Sequence, residues 1–202
     1  VDVLTSNFEP LALTNATFVE RWEELFQKAF AVRIGIGYAS NESLLYLKKV
    51  IELNQPKKLE ICLGMAYFEG LSKSQFEATS ALSDFLSERK IGKVNVARTF
   101  PFHGKVQYFR FEKQADKFLL GSSNLSNIVP VKGVTRRNYE VDIEVSDVLS
   151  CNKIADLLDG LFEESSSNFE SIASNIQIKE NENALLSTRS DVLTVGKEKI
   201  AN

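Results

Sequence analysis

The chain has 202 residues, 44% of them hydrophobic and 25% charged, and a formal net charge of −3. That length holds one large domain, or one domain with an appendage, and the apolar share is enough for a buried core. The charge argues against a general polybasic nucleic-acid binder, and no apolar run is long enough to span a membrane. Two separated cysteines, Cys62 and Cys151, and a single histidine give neither a disulfide framework nor a zinc-site spacing, so a reducing, cytoplasmic setting is expected. The N-terminus is strand-like and carries Asp2, unlike a signal peptide. Val1 at the start and Met65 as the only methionine point to a piece of a longer protein.

In chain order, residues 1–5 read as a short strand. Asn15-Ala16-Thr17 opens a helix running to about Phe30, with Phe18, Trp22, Leu25, Phe26 and Phe30 on one face; Trp22 is read as core. A strand at 31–39 follows, then a helix at 42–53 capped by Ser40-Asn41. Gly35-Ile36-Gly37 lacks the third glycine of a dinucleotide fingerprint and is read as close packing under a site. A strand is expected at 58–65, a loop at 67–71, a helix at 72–90 and a strand at 93–99. Two strand–helix units and a third strand predict a mixed, largely parallel sheet with helices on both faces. Strands at 106–112, 117–120 and 140–146 come next, the last alternating Val141, Ile143 and Val145 with Asp142 and Glu144. A helix at 147–162 precedes a serine-rich stretch from Ser165 that reads as a linker. The domain is placed at 1–175, with 176–202 as a tail or the start of a further domain; Ile176-Gln177-Ile178 is a candidate last strand.

The stretch from Pro101 to Glu140 carries the chemistry. On a strand, residues two apart share a face, so His103 and Lys105 project together, an imidazole beside an ammonium. Gly121-Ser122-Ser123-Asn124 supplies the backbone N–H, hydroxyl and amide donors that hold phosphate oxygens. Glu140 is placed to orient the imidazole and stabilise its charged form. From Arg98 to Glu140 there are eight bases and three acids, a local basic field on an acidic body. Arg110, Lys132, Arg136 and Arg137 are the candidate DNA contacts within it.

These residues resemble the signature of the phospholipase D-like superfamily, H-x-K followed by G-S-x-N, through His103, Lys105, Gly121, Ser122 and Asn124. Asn138-Tyr139-Glu140 is similar to the N-x-E segment of its small nucleases. Arg110 stands where the signature has an aspartate, which turns the resemblance from the lipid-cleaving members toward the nucleases, and within these toward the NgoFVII-type restriction endonucleases. The resemblance implies a phospholipase D-like fold and a metal-independent, cofactor-free DNA endonuclease working through a covalent phosphohistidine. It further implies His103, Lys105, Asn124 and Glu140 as catalytic, and Ser122, Ser123, Lys105 and Asn124 as phosphate-binding. Superfamily chemistry uses two histidines and this chain has one, so a homodimer sharing one active site is expected. Base recognition would fall to a further DNA-recognition domain, and an NTPase subunit is a possible partner. A phospholipase D-type lipid phosphodiesterase, a non-specific nuclease and a non-catalytic phosphate-binding domain are the alternatives.

Overall fold

Three strands with the same direction lie at the middle of one eight-stranded sheet, and the rest of the chain is added to their two sides. The computed structural model describes residues 1–6, 11, 16–129 and 138–179. In chain order the sheet contains β1 (Asp2–Thr5), β2 (Ala31–Ile36), β3 (Lys58–Leu63), β5 (Gly92–Ala97), β6 (Lys105–Arg110), β7 (Lys117–Gly121), β8 (Val141–Val145) and β9 (Ser166–Asn168). Across the sheet the order is β1-β8-β7-β6-β2-β3-β5-β9. A separate short pair joins β4 (Leu71–Ser72) to β10 (Ile178–Lys179) in parallel.

Within the eight-stranded sheet only β2–β3 and β3–β5 are parallel; its other five pairings are antiparallel. The architecture is the expected mixed α/β sheet, but "largely parallel" is corrected. Parallel neighbours need long crossovers, and the helices supply those only as far as β5. After it the strands alternate in direction, and the link at 111–116 between β6 and β7 is too short for a crossover.

The helices are α1 (Phe18–Lys28), α2 (Asn41–Asn54), α3 (Ala66–Glu69), α4 (Lys73–Glu88), α5 (Val148–Asp159) and α6 (Phe169–Ile172). Each long helix starts where a small polar side chain caps it. Thr17 with Glu20 and Ser72 with Gln75 form reciprocal capping boxes, while Ser40 and Asp147 accept from Ser43 and Ser150 N–H. Residues of α1, α2 and α4 pack with Val32, Ile34, Ile36, Ile61 and Phe109 into one core. The alternate strand residues Cys62, Val106, Tyr108 and Phe118 pack with Leu158, Leu161 and Phe162 on the other face. Helices therefore flank both faces, as anticipated. Trp22 is fully buried, and its indole N–H donates to Gln107 Oε1 inside the sheet. Cys62 is fully buried as well, and burial pushes its thiol up to about 12.

One reading changes at the C-terminal end, and the candidate last strand at 176–178 is met in part by β10. The serine-rich stretch is an edge strand rather than a linker: β9 pairs with β5, and Asn95 Nδ2 donates to Ser166 Oγ at 2.8 Å and to the Phe162 carbonyl at 3.1 Å. Phe169, Ile172 and Ile176 then return to the main core, and β10 pairs beyond residue 175. The expected loop at 67–71 contains the turn of helix α3.

One ionic knot ties α1 to the sheet. Glu144, 3% exposed, accepts from Arg21 Nε, from Arg21 Nη2 at 3.0 Å and from Lys117 Nζ at 2.7 Å. Burial alone pushes its pKa up, but the hydrogen bonds and charges of Arg21 and Lys117 outweigh that and hold it below the ordinary value. With the folded pKa depressed, its stabilisation is present above the ordinary carboxylate pKa and is lost as pH falls through the lowered one. Glu144→Gln is expected to cost about 2 kcal/mol of unfolding free energy at neutral pH, less than a fully buried pair because both cations are partly exposed. Urea titrations of both proteins across acid pH should show that gap closing as pH drops; a gap independent of pH would refute the ionic account.

Candidate active site

Strand direction gathers the candidate residues on one rim. The central strands β2, β3 and β5 end there, as does β7, while β6 and β8 begin there: Ile36 pairs with Lys105, and Gly121 with Asp142. His103, Lys105, the Gly121–Asn124 turn and Glu140 all lie at this edge of the sheet.

The segment bearing His103 is laid over two glycines. Gly37 N–H donates to the Gly104 carbonyl at 2.9 Å, and Phe102 N–H donates to the Gly64 carbonyl at 3.1 Å. A Cβ at Gly64 would lie 1.8 Å from Phe102 O, and one at Gly37 would lie 3.2 Å from His103 Cα and 3.3 Å from its ring carbon Cδ2. At Gly64 only glycine lets the backbones approach this closely, and at Gly37 a side chain would push the His103 segment by a few tenths of an ångström. The imidazole is exposed and meets the Tyr38 ring edge-on, with centroids 5.3 Å apart and planes at 76°. Tyr38 is itself fixed by donating to Glu69 Oε1 at 2.6 Å; burial and that carboxylate push its phenol up to about 12. Lys105, half-buried, turns its Nζ back to the His103 carbonyl at 3.4 Å.

The Gly-Ser-Ser-Asn turn divides its labour. Ser123 is 2% exposed; its N–H donates to Asp142 Oδ1 at 3.0 Å and its hydroxyl to Oδ2 at 2.6 Å. That engages the Ser123 hydroxyl and N–H in holding the turn. Ser122 is exposed; its Oγ accepts from Val141 N–H at 2.9 Å, and among the described residues its O–H has no acceptor. Asn124 Oδ1 is buried with no hydrogen-bond partner among the described residues. Burial raises the Asp142 pKa, opposed by the two bonds from Ser123 and reinforced by the charge of Glu140.

Glu140 is held by its backbone: its N–H donates to Ser6 Oγ at 2.8 Å, and its carbonyl accepts from Ser6 N–H at 3.1 Å. Among the described residues no hydrogen bond joins it to His103, so the expected orienting contact is not made within one chain; Tyr38 is the side chain against the imidazole. Arg110 lies apart from these residues. It is the last residue of β6, about 17 Å along the strand from Lys105 on the opposite rim, where its Nε lies 3.4 Å from Asp116 Oδ2. Asp116 also accepts from the Tyr108 hydroxyl at 2.9 Å and Phe111 N–H at 3.2 Å, so a carboxylate braces this hairpin although position 110 carries none. Lys132, Arg136 and Arg137 lie outside the described residues.

Sequence reasoning missed Tyr38, Asp142 and Ser6. Tyr38 follows a strand that ends in Gly-Ile-Gly, which was a usable signal. Asp142 was hidden by its alternation with valines, and nothing in the sequence marked Ser6.

The order of these parts along the chain has a counterpart. The family model of the NgoFVII restriction endonuclease N-terminal PLD domain matches residues 12–178. The chain belongs to that family. No curated protein matches it. Among solved structures, phosphatidylserine synthase of Haemophilus influenzae Rd KW20 is similar, with a TM-score of 0.54 at 13% identity over 98% of this chain and 46% of that one. At that identity the likeness is one of fold, and this chain spans less than half the length of the neighbour. Family membership and neighbour agree with the phospholipase D-like fold expected from the motif.

Asp142→Ala removes the acceptor for both Ser123 donors, which then stay buried and unpaired. It is expected to lower unfolding free energy by about 2 kcal/mol and to speed amide hydrogen exchange at Ser122 and Ser123. Exchange at those two amides unchanged from wild type would show that Asp142 does not hold the turn.

Proposed function

We propose that this chain is the DNA-cleaving domain of a restriction endonuclease, and that it hydrolyses a phosphodiester without a metal through a covalent phosphohistidine. The observation that carries the reading is the meeting, on one rim, of the single imidazole, the Lys105 ammonium and the Gly121–Asn124 turn, in a chain of this family. Asn124 Oδ1, without a hydrogen-bond partner among the described residues, and the exposed Ser122 hydroxyl support a site that awaits a ligand or a second protein surface. The Lys105 ammonium, the Ser122 O–H and the Asn124 amide suit the non-bridging oxygens of a phosphate, whose charge they would neutralise as it builds up.

In this mechanism a nitrogen of His103 attacks phosphorus and the bond to the leaving oxygen breaks. The protonated His103 of a second copy gives its proton to that oxygen. Water then attacks phosphorus, its proton passes to the second imidazole, and the phosphorus–nitrogen bond breaks, restoring both rings. The second copy is needed because the chain holds one histidine. The length of phosphatidylserine synthase is in keeping with this, since more than half of that chain lies outside the match and leaves room for another unit of this size. Glu140, unbonded to the imidazole of its own chain, is assigned to the charged imidazole across the two-fold axis. Sequence recognition, and any NTP-driven partner, lie with other domains or subunits.

Supercoiled plasmid incubated in EDTA should be cut by the wild-type chain, and His103→Ala should lower the rate by at least about a thousandfold. Light scattering should give the mass of two chains. Cleavage that appears only with added magnesium refutes the metal-free mechanism. Head-group release from phosphatidylcholine without DNA cleavage would establish the lipid reading instead.

A further inference from the structure

The same rim carries a second group of side chains that the proposed mechanism does not use. Arg98 follows the end of β5 and is exposed. Its guanidinium carbon lies 5.5 Å from the centre of the Tyr67 ring, and Nη1 donates to Ser167 Oγ at 3.4 Å. Tyr67 in turn meets Phe68 edge-on, with centroids 5.6 Å apart and planes at 87°. Phe68, in the short helix α3 that follows β3, is 40% exposed, and Phe100, just after β5, is 45% exposed. Beside them opens a polar pocket of about 290 Å³, lined by Arg98, Thr99 and Ser165 to Ser167, with Glu164 at the same wall. Among the described residues no carboxylate lies within ion-pair distance of Arg98.

Each part has an explanation singly, but the combination has a direction. Leaving two phenylalanines this far in water forgoes about 1 kcal/mol apiece. A guanidinium on an aromatic face, next to further exposed rings and a row of hydroxyls, is the pairing used for single-stranded nucleic acid: rings for bases, cation and hydroxyls for phosphate. A base inside a duplex has no free face to offer such rings, so the match is to an unpaired nucleotide. The position fits as well. The segment that carries His103 lies over the end of β2, two strand spacings from β5, or about 10 Å from the Arg98 end. That span is about three steps of a DNA strand in duplex geometry, and fewer in an extended one.

We propose that Arg98, Tyr67, Phe68 and Phe100 form a subsite for an unpaired nucleotide of the cleaved DNA strand, a few positions from the scissile phosphate. Phe68 and Phe100 stack on bases, and Arg98 with the Ser167 and Thr99 hydroxyls holds a backbone phosphate. Glu164 keeps that phosphate on the Arg98 side of the pocket. The inference rests on the nuclease reading above.

The test separates the two. In EDTA, wild type, Arg98→Ala and Phe100→Ala are given the small diester bis(p-nitrophenyl) phosphate and, separately, a single-stranded oligodeoxynucleotide. Affinity for the fluorescein-labelled oligonucleotide is read by anisotropy on a His103→Ala background. Both variants should weaken single-strand binding about tenfold, leave turnover of the small diester within about twofold, and leave thermal unfolding unchanged. Phe100→Tyr, which keeps the stacking face, should bind like the parent. Unchanged single-strand affinity in both alanine variants overturns the subsite while leaving the nuclease reading intact. If wild type cuts neither substrate the nuclease reading falls, and the anisotropy series still decides whether these residues hold DNA. Binding to phosphatidylglycerol vesicles that is lost in Phe100→Ala, with DNA affinity unaltered, would assign the rings to a lipid surface and also overturn the proposal.

Discussion

The hydrogen bond from Gly37 N–H to the Gly104 carbonyl joins the two halves of the molecule at the place where the chemistry is proposed. On one side stand the parallel strands β2, β3 and β5 with their helical crossovers; on the other stand the antiparallel strands β6, β7, β8 and β1. Because β6 enters next to the end of β2, the segment preceding it must cross the rim, and His103 is carried there by the backbone. The missing side chain at Gly37 then sets how far above the sheet the imidazole rides. Tyr38, anchored by Glu69, closes one side of it.

A second constraint lies beneath this rim, on the α1 face of the sheet. There the sheet buries Gln107, Asp142 and Glu144, each matched by a partner: the Trp22 indole, Ser123, and the Arg21 and Lys117 cations. Unmatched, any of these would cost several kcal/mol. Matched, they penalise a one-residue slip of β7 or β8, which would strand every partner at once. The turn that carries Ser122 and Asn124 is thereby locked to the same register as α1.

Much of this was readable from the residues. The apolar stripe after Thr17, the capping serines and the alternation from Lys58 onward placed the helices and central strands within a few positions, because local periodicity and capping are decided locally. The H-x-K and G-S-x-N segments were legible because their chemistry is carried by residue type and order. The phase of β8 was not. Val141 is half exposed while Asp142 and Glu144 are buried, since α1 answers them with Arg21 and the preceding turn answers with Ser123. The serine-rich stretch misled for a similar reason: its edge-strand role is created by Asn95 and the open side of β5, which lie far away in sequence. The sign of the β5-to-β6 connection is likewise a tertiary fact, and so was the position of Arg110 on the far rim.

The burial of Cys62 has an experimental use. It sits in β3 under the rim, and its thiol is shifted far above neutral pH. An alkylating reagent attacks the thiolate, so the folded protein offers it almost no reactive sulfur and no path to reach it. Modification at this position therefore counts openings that lift Leu158, Leu161 and Phe162 off the sheet, while breathing of the surface loops leaves it silent. The molecule thus carries its own chemical clock for the uncovering of this face, readable by mass spectrometry without adding a probe.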